Sequence, residues 1–184
     1  WVKYKFLMHG HSHVAMLGWL YLGLITLLVH IFLDEEQQQK KIYKHLFLLT
    51  QVSVIGMLVS FPIQGYAGFS IAFSTLHVLV SYWFVWRFRT DLKQSANITF
   101  SALLALTALG FMILSTMGLW AMPLILLSDM RGSMLYYMAV QFFLHFQFNG
   151  WFIFAVLALF FRFLEKQQLA VSTEDTRVFY RLLL

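Results

Sequence analysis

Long apolar runs separated by short polar segments dominate the chain. A membrane-spanning helix needs about 20 mainly apolar residues, and runs of at least that length cover residues 7–33, 42–64, 69–88, 98–122 and 134–164. A polar tail, which turns apolar at its end, fills residues 165–184. The pattern predicts an all-α fold. We expect one domain over residues 1–184, a polytopic integral membrane bundle of about five transmembrane helices.

The composition agrees with a lipid environment. Hydrophobic residues make up 60% of the chain and charged residues 11%, whereas soluble domains carry about 25% charged residues. The formal charge is +5, but the basic side chains flank the apolar runs and therefore indicate topology rather than nucleic-acid binding. The lipid bilayer is thus the expected partner, and no internal repeat is evident.

Lysine and arginine are unequally shared between the two sides of the predicted bundle. Most of them fall in the loops 34–44 and 87–97 and at the end of the fifth run, which alternate spans place on one side. The positive-inside rule makes this side cytoplasmic and the N-terminus external. We expect a bacterial inner membrane, and an external start at Trp1 suggests a further helix upstream in the parent protein.

Histidine is the only strong ligand for a soft metal in the chain, because cysteine is absent. Ionisable residues inside a membrane are costly and are functional candidates by default. Three runs carry histidines in their predicted outer halves: His9, His11 and His13 in the first, His77 in the third and His145 in the fifth. Their similar depths predict that they converge on one or two cofactors.

Helical spacing places two of these histidines on polar stripes. One stripe contains Ser70, Ser74, His77 and Ser81, and the other contains Gln141, His145 and Asn149. Polar stripes in lipid face a bundle interior or a cavity, so we expect His13, His77 and His145 to point inward. The alternative is that these histidines only hydrogen-bond to neighbouring helices and hold the bundle together.

The segment HSHVAMLGW, residues 11–19, resembles a haem-ligating segment of the haem-copper oxidase superfamily, especially of its nitric oxide reductase branch. The resemblance implies that His11 is axial to a high-spin haem and His13 to a low-spin haem, on different sides of the helix. Ala15 and Gly18 would take the small positions. The second run, LFLLTQVSVIGMLVSFPIQG, resembles the helix that follows this segment in the reductases.

A second register of the same resemblance is also open. HFQFN, which contains His145, resembles the superfamily segment in which a histidine binds the non-haem metal. The first run would then supply one low-spin haem ligand, and the remaining ligands would lie beyond Leu184. In both registers the chain departs from the superfamily, because it has no adjacent His-His pair and no cross-linked His-Tyr signature.

The histidines and the resemblance together predict a membrane-embedded b-type haem protein. We expect respiratory electron transfer or O2 and NO redox chemistry, as part of a haem-dependent oxidoreductase with other respiratory subunits or an electron donor as partners. His11, His13, His77 and His145 are the candidate haem ligands. His9, His11, His13 and His145 are the candidates for non-haem iron or copper. A histidine-lined transporter or channel and a non-catalytic scaffold subunit are the alternatives.

Overall fold

The computed structural model describes residues 4–94, 99–128, 130, 132–169, 178 and 180. Every regular element in these residues is helical, and five helices are long and apolar enough to cross a membrane. We call them the first to fifth spans: Tyr4–Phe32, Lys41–Gln64, Gly68–Gln94, Phe100–Leu127 and Met134–Lys166. The short helix Glu35–Gln38 lies between the first two. The prediction of an all-α integral membrane protein is confirmed.

Two spans end five or six residues later than their hydropathy predicts. The third, expected to end at residue 88, continues to Gln94, and the fourth, expected to stop at residue 122, continues to Leu127. The third span keeps its polar last turns because the buried Asp91 is paired with cationic side chains. The fourth passes through Pro123, which membrane helices tolerate because neighbouring groups satisfy the freed carbonyl. Most of the predicted tail lies outside the described residues.

Residues 1–96 form one compact unit that contains the first three spans. The core of this unit is Val54, Met57 and Phe61 of the second span, against which Val14, Leu17 and Phe73 pack. Gly56 faces the ring of Phe73, where an added Cβ atom would collide with it. The second span therefore lies at the centre of the unit, and the first and third spans pack on it.

Residues 97–184 form a second compact unit with the fourth and fifth spans, where the sequence suggested one domain for the whole chain. The two helices are antiparallel neighbours. At one end Glu165 accepts hydrogen bonds from the backbone N–H of Ser101 at 3.1 Å and from its hydroxyl at 2.7 Å. Farther along, Gly118 lies against the backbone oxygen of Ala139. Small residues thus allow the two backbones to approach closely.

A buried carboxylate ties one end of the first unit together. Asp91 is fully buried, and its two oxygens accept bonds from Lys40 Nζ at 2.9 Å, Arg87 Nε at 2.9 Å and the Tyr43 hydroxyl at 2.8 Å. The Gln37 side chain donates to the Asp91 backbone oxygen at 3.1 Å. A buried charge is tolerated when it is paired and hydrogen-bonded. The cluster fixes the loop after the first span against the end of the third.

Candidate functional site

His13 has one ring nitrogen fixed by its own helix. Its Nδ1 atom lies 2.8 Å from the backbone oxygen of His9, one turn earlier. A carbonyl oxygen can only accept, so Nδ1 carries the proton and the Nε2 lone pair is free in the neutral ring. The ring is half-buried, with its centroid 4.3 Å from that of Phe61 on the second span. His13 is therefore oriented as a metal-ligating histidine is, with its second nitrogen available.

His77 is held in the same way by a neighbouring helix. Its side chain is buried, and its Nδ1 atom lies 3.2 Å from the hydroxyl oxygen of Ser53 on the second span. The Ser53 hydroxyl donates its one proton to the Thr50 backbone oxygen at 2.7 Å, so it accepts from Nδ1–H of His77. The Tyr21 ring packs edge-on at 4.7 Å. The Nε2 atom of His77 thus also carries a free lone pair.

His13 and His77 both lie in the first unit and both contact its second span. His13 packs on Phe61 of the second span and His77 bonds to Ser53 of the same span. Met57, which lies between these two positions in the sequence of the second span, accepts a 3.3 Å bond from Ser74 Oγ of the third. The predicted inward stripe of the third span is confirmed, because Ser70, His77 and Ser81 are all buried. Two imidazoles with matching tautomers therefore lie against the second span, within one compact unit.

His9 and His11 lie at the periphery of this site. The His9 ring is half-buried and packs edge-on against Tyr66 at 5.2 Å, whereas His11 is exposed. His11 and His13 thus project in different directions, as residues two apart on a helix do. The resemblance implied this divergence.

His145 does not lie in a bundle interior in this structure. It is exposed together with Gln141 and Asn149, so the expectation of an inward stripe on the fifth span is wrong. The buried face of that span instead carries Gln147, Gly150 and Trp151, and Gln147 accepts a 3.0 Å bond from the Ser115 hydroxyl of the fourth span. The sequence misled here because the side of the helix with Gln147 and the small Gly150 packs on the fourth span, which turns the His145 side outward. The Asn149 amide donates to His145 Nδ1 at 3.2 Å.

Both His13 and His145 are followed at once by a π-helical segment. Val14–Leu20 and Phe146–Phe152 each span seven residues. π-Helical turns are rare in proteins and are frequent at functional sites. The two segments share a pattern of histidine, four residues, glycine and tryptophan. No repeat was expected from the sequence, yet this pattern was the signal that could have revealed one.

The described residues contain no group of three or more His, Cys, Asp or Glu side chains that could hold a metal ion together. The set suggested for non-haem iron or copper, His9, His11, His13 and His145, is therefore not assembled as such a group in the described part of the chain. Sequence reasoning also missed Ser53 and Tyr21, the partners of His77. A serine or tyrosine in an apolar run gives little indication of its neighbour on another helix.

Comparison with known proteins adds no relative to this description. No protein-family model matches the chain, and neither the curated proteins nor the solved structures give a match, so the geometry above carries the functional argument.

Proposed function

We propose that this chain is a membrane-embedded b-type haem protein that transfers electrons or handles O2 or NO in a respiratory membrane. The observation that carries the proposal is the pair His13 and His77. Each has its Nδ1 atom occupied by a hydrogen bond and its Nε2 lone pair free. Histidine with its second nitrogen held by a backbone or side-chain acceptor is the usual arrangement of a metal ligand.

His77 is the partner of His13 that the packing supports best. The sequence left His77 and His145 as equal candidates for the second axial position. His77 belongs to the same compact unit as His13, whereas His145 is exposed and accepts from Asn149 through Nδ1.

The surroundings of the pair suit a buried redox group. Phe61 covers one side of His13 and Tyr21 covers His77, which would keep water from the ring nitrogens. When bound between two histidines, haem would supply one-electron exchange, and burial and hydrogen bonds to the ligands would tune its potential. The residues of the chain hold the two imidazoles, and Ser53 keeps the proton of His77 on Nδ1.

The setting proposed for this activity is a bacterial inner membrane with the N-terminus outside. The basic loops at 34–44 and 87–97 support this orientation. Other respiratory subunits or an electron donor would be the partners, in the manner of the oxidase and reductase subunits that the first span resembles.

Absorption spectra of the purified protein and three histidine variants test this proposal. The unmodified protein should show a Soret band, which His13→Ala and His77→Ala should each shift or lose, and added imidazole should restore it in part. His30→Ala is the matched control, because His30 is exposed and bonds to Gln38. If the protein is colourless and His77→Ala only lowers stability, the histidines hold helices together and bind no haem.

A further inference from the structure

An open groove lies between the first and second spans. Its volume is about 320 Å³, at the lower end of the range for small-molecule sites, about 300–1,000 Å³. Its lining residues are Val14, Gly18, Trp19, Leu22, Gln51, Val54 and Ile55. The walls are therefore almost wholly apolar, and the groove includes the π-helical segment that follows His13.

Gln51 is the polar group of this groove. It lies ten residues along the second span from Lys41, which places it about 15 Å from that end, deep in the hydrocarbon region. Its amide makes no hydrogen bond to any other described residue. The Trp19 side chain beside it is 85% exposed and offers an indole N–H. An unpaired amide at this depth is costly in lipid, so a ligand with an oxygen atom would stabilise it.

In the second unit, an aromatic ring covers the helix surface that corresponds to this groove. In the π-helical pattern after His145, Phe146, Gly150 and Phe154 take the places that Val14, Gly18 and Leu22 take after His13. There the Phe111 ring of the fourth span fills the space. It stacks on Phe146 at 5.8 Å and 21°, lies 5.1 Å from Phe154, and rests against Gly150.

In the described part of the first unit, valines rather than an aromatic ring are the nearest neighbours of Gly18. A Cβ atom on Gly18 would lie 2.9 Å from Cγ1 of Val54, so Val54 holds the position that Phe111 holds in the second unit. Valine reaches the glycine but leaves the space beyond it open, and this space is the groove. The open space beside Gly18 should therefore accept a flat ring of about the size of the Phe111 phenyl group.

We propose that this groove binds the ring of a lipid-soluble quinone or quinol, whose oxygen hydrogen-bonds to the Gln51 amide. A planar ring matches the space that Phe111 fills in the second unit. A carbonyl or hydroxyl oxygen matches an amide that can both donate and accept. A lipid acyl chain meets neither condition at this depth. The inference uses no histidine, so it stands or falls separately from the proposed haem.

Titration of the quinone-free protein in phosphatidylcholine nanodiscs with a short-chain ubiquinone tests this assignment. Calorimetry and tryptophan fluorescence should both report saturable binding, and Trp19→Phe should remove most of the quenching. Gln51→Leu should weaken binding about tenfold through the lost hydrogen bond. Val54→Phe, which supplies the missing ring, should abolish binding. Val156→Phe is the matched control at an exposed site and should bind as the unmodified protein does.

A ring hydrocarbon of the same shape but without oxygen provides a test that needs no variant. It should bind the unmodified protein about tenfold more weakly than the quinone, and the difference should vanish in Gln51→Leu. The proposal is overturned by an absence of saturable quinone binding, which would leave the groove to an acyl chain or a partner helix. Equal binding of Val54→Phe and Val156→Phe would overturn it as well.

Discussion

The hydroxyl oxygen of Ser53 lies 3.2 Å from Nδ1 of His77 and links the second span to the third. It accepts from the imidazole because its own proton goes to the Thr50 backbone oxygen. This single contact fixes the tautomer of His77 and contributes to the packing of two membrane helices.

Replacement of Ser53 by alanine should therefore destabilise the first unit. A buried N–H left without an acceptor costs about 1–3 kcal/mol. The measurement is unfolding of the detergent-solubilised protein by sodium dodecyl sulphate, followed by circular dichroism. Ser12→Ala is the control, since Ser12 is exposed and bonds only to the Met8 backbone oxygen. Equal stability of the two variants would contradict the assigned contact.

The sequence was sufficient to predict the helices and one of the two polar stripes. Hydropathy locates spans because a lipid environment demands long apolar helices. His77 was expected inward because polar stripes in lipid face a bundle interior or a cavity, and Ser70, His77 and Ser81 are buried. The stripe of His145 is equally polar, but helix packing decides which side of a helix is buried. The close contacts at Gly118 and Gly150 bury the other side of the fifth span and leave His145 exposed.

Other features depend on contacts between residues far apart in the chain. Asp91 lies in what the sequence presents as a polar loop, and its burial in a helix depends on partners that include Lys40, 51 positions away. In the two π-helical segments, Gly18 and Gly150 likewise pack on adjacent spans. Neither arrangement has a hydropathy signal, because both arise from the tertiary fit of individual side chains.

Replacement of Asp91 by asparagine should loosen one end of the first unit. The variant loses the charge that pairs with Lys40 and Arg87, whose side chains are 31% and 26% exposed and can turn to water. The expected loss is about 2 kcal/mol, below the 3–5 kcal/mol of a fully buried pair. The same detergent unfolding measures it. Asp34→Asn, at an exposed position, should change stability little, and a similar loss there would refute the role of the cluster.

Two glycines of the fourth span should respond differently to alanine. A Cβ atom on Gly118 would collide with the backbone oxygen of Ala139, whereas one on Gly110 would meet nothing within 4 Å. Gly110→Ala should be neutral or slightly stabilising, because alanine favours helix by about 1 kcal/mol over glycine. Gly118→Ala should lower the melting temperature of the protein clearly. Indistinguishable melting curves would show that the two helices are not packed as described.

The proposed orientation can be tested with single cysteines, because the chain has none of its own. Gln39 lies between the first two spans and is exposed, and Tyr66 lies between the second and third and is 54% exposed. A membrane-impermeant maleimide added to intact cells should label Tyr66→Cys and spare Gln39→Cys. Labelling of Gln39→Cys alone would reverse the proposed topology.

The central claim is that His13 and His77 bind haem b, and the pyridine haemochrome spectrum of the purified protein tests it most directly. Protein isolated from membranes of haem-sufficient cells should give the spectrum of b-type haem at about one haem or more per chain. His13→Ala and His77→Ala proteins of equal helicity should give substantially less. A protein that yields no haemochrome, even after incubation with added haemin, would contradict the account.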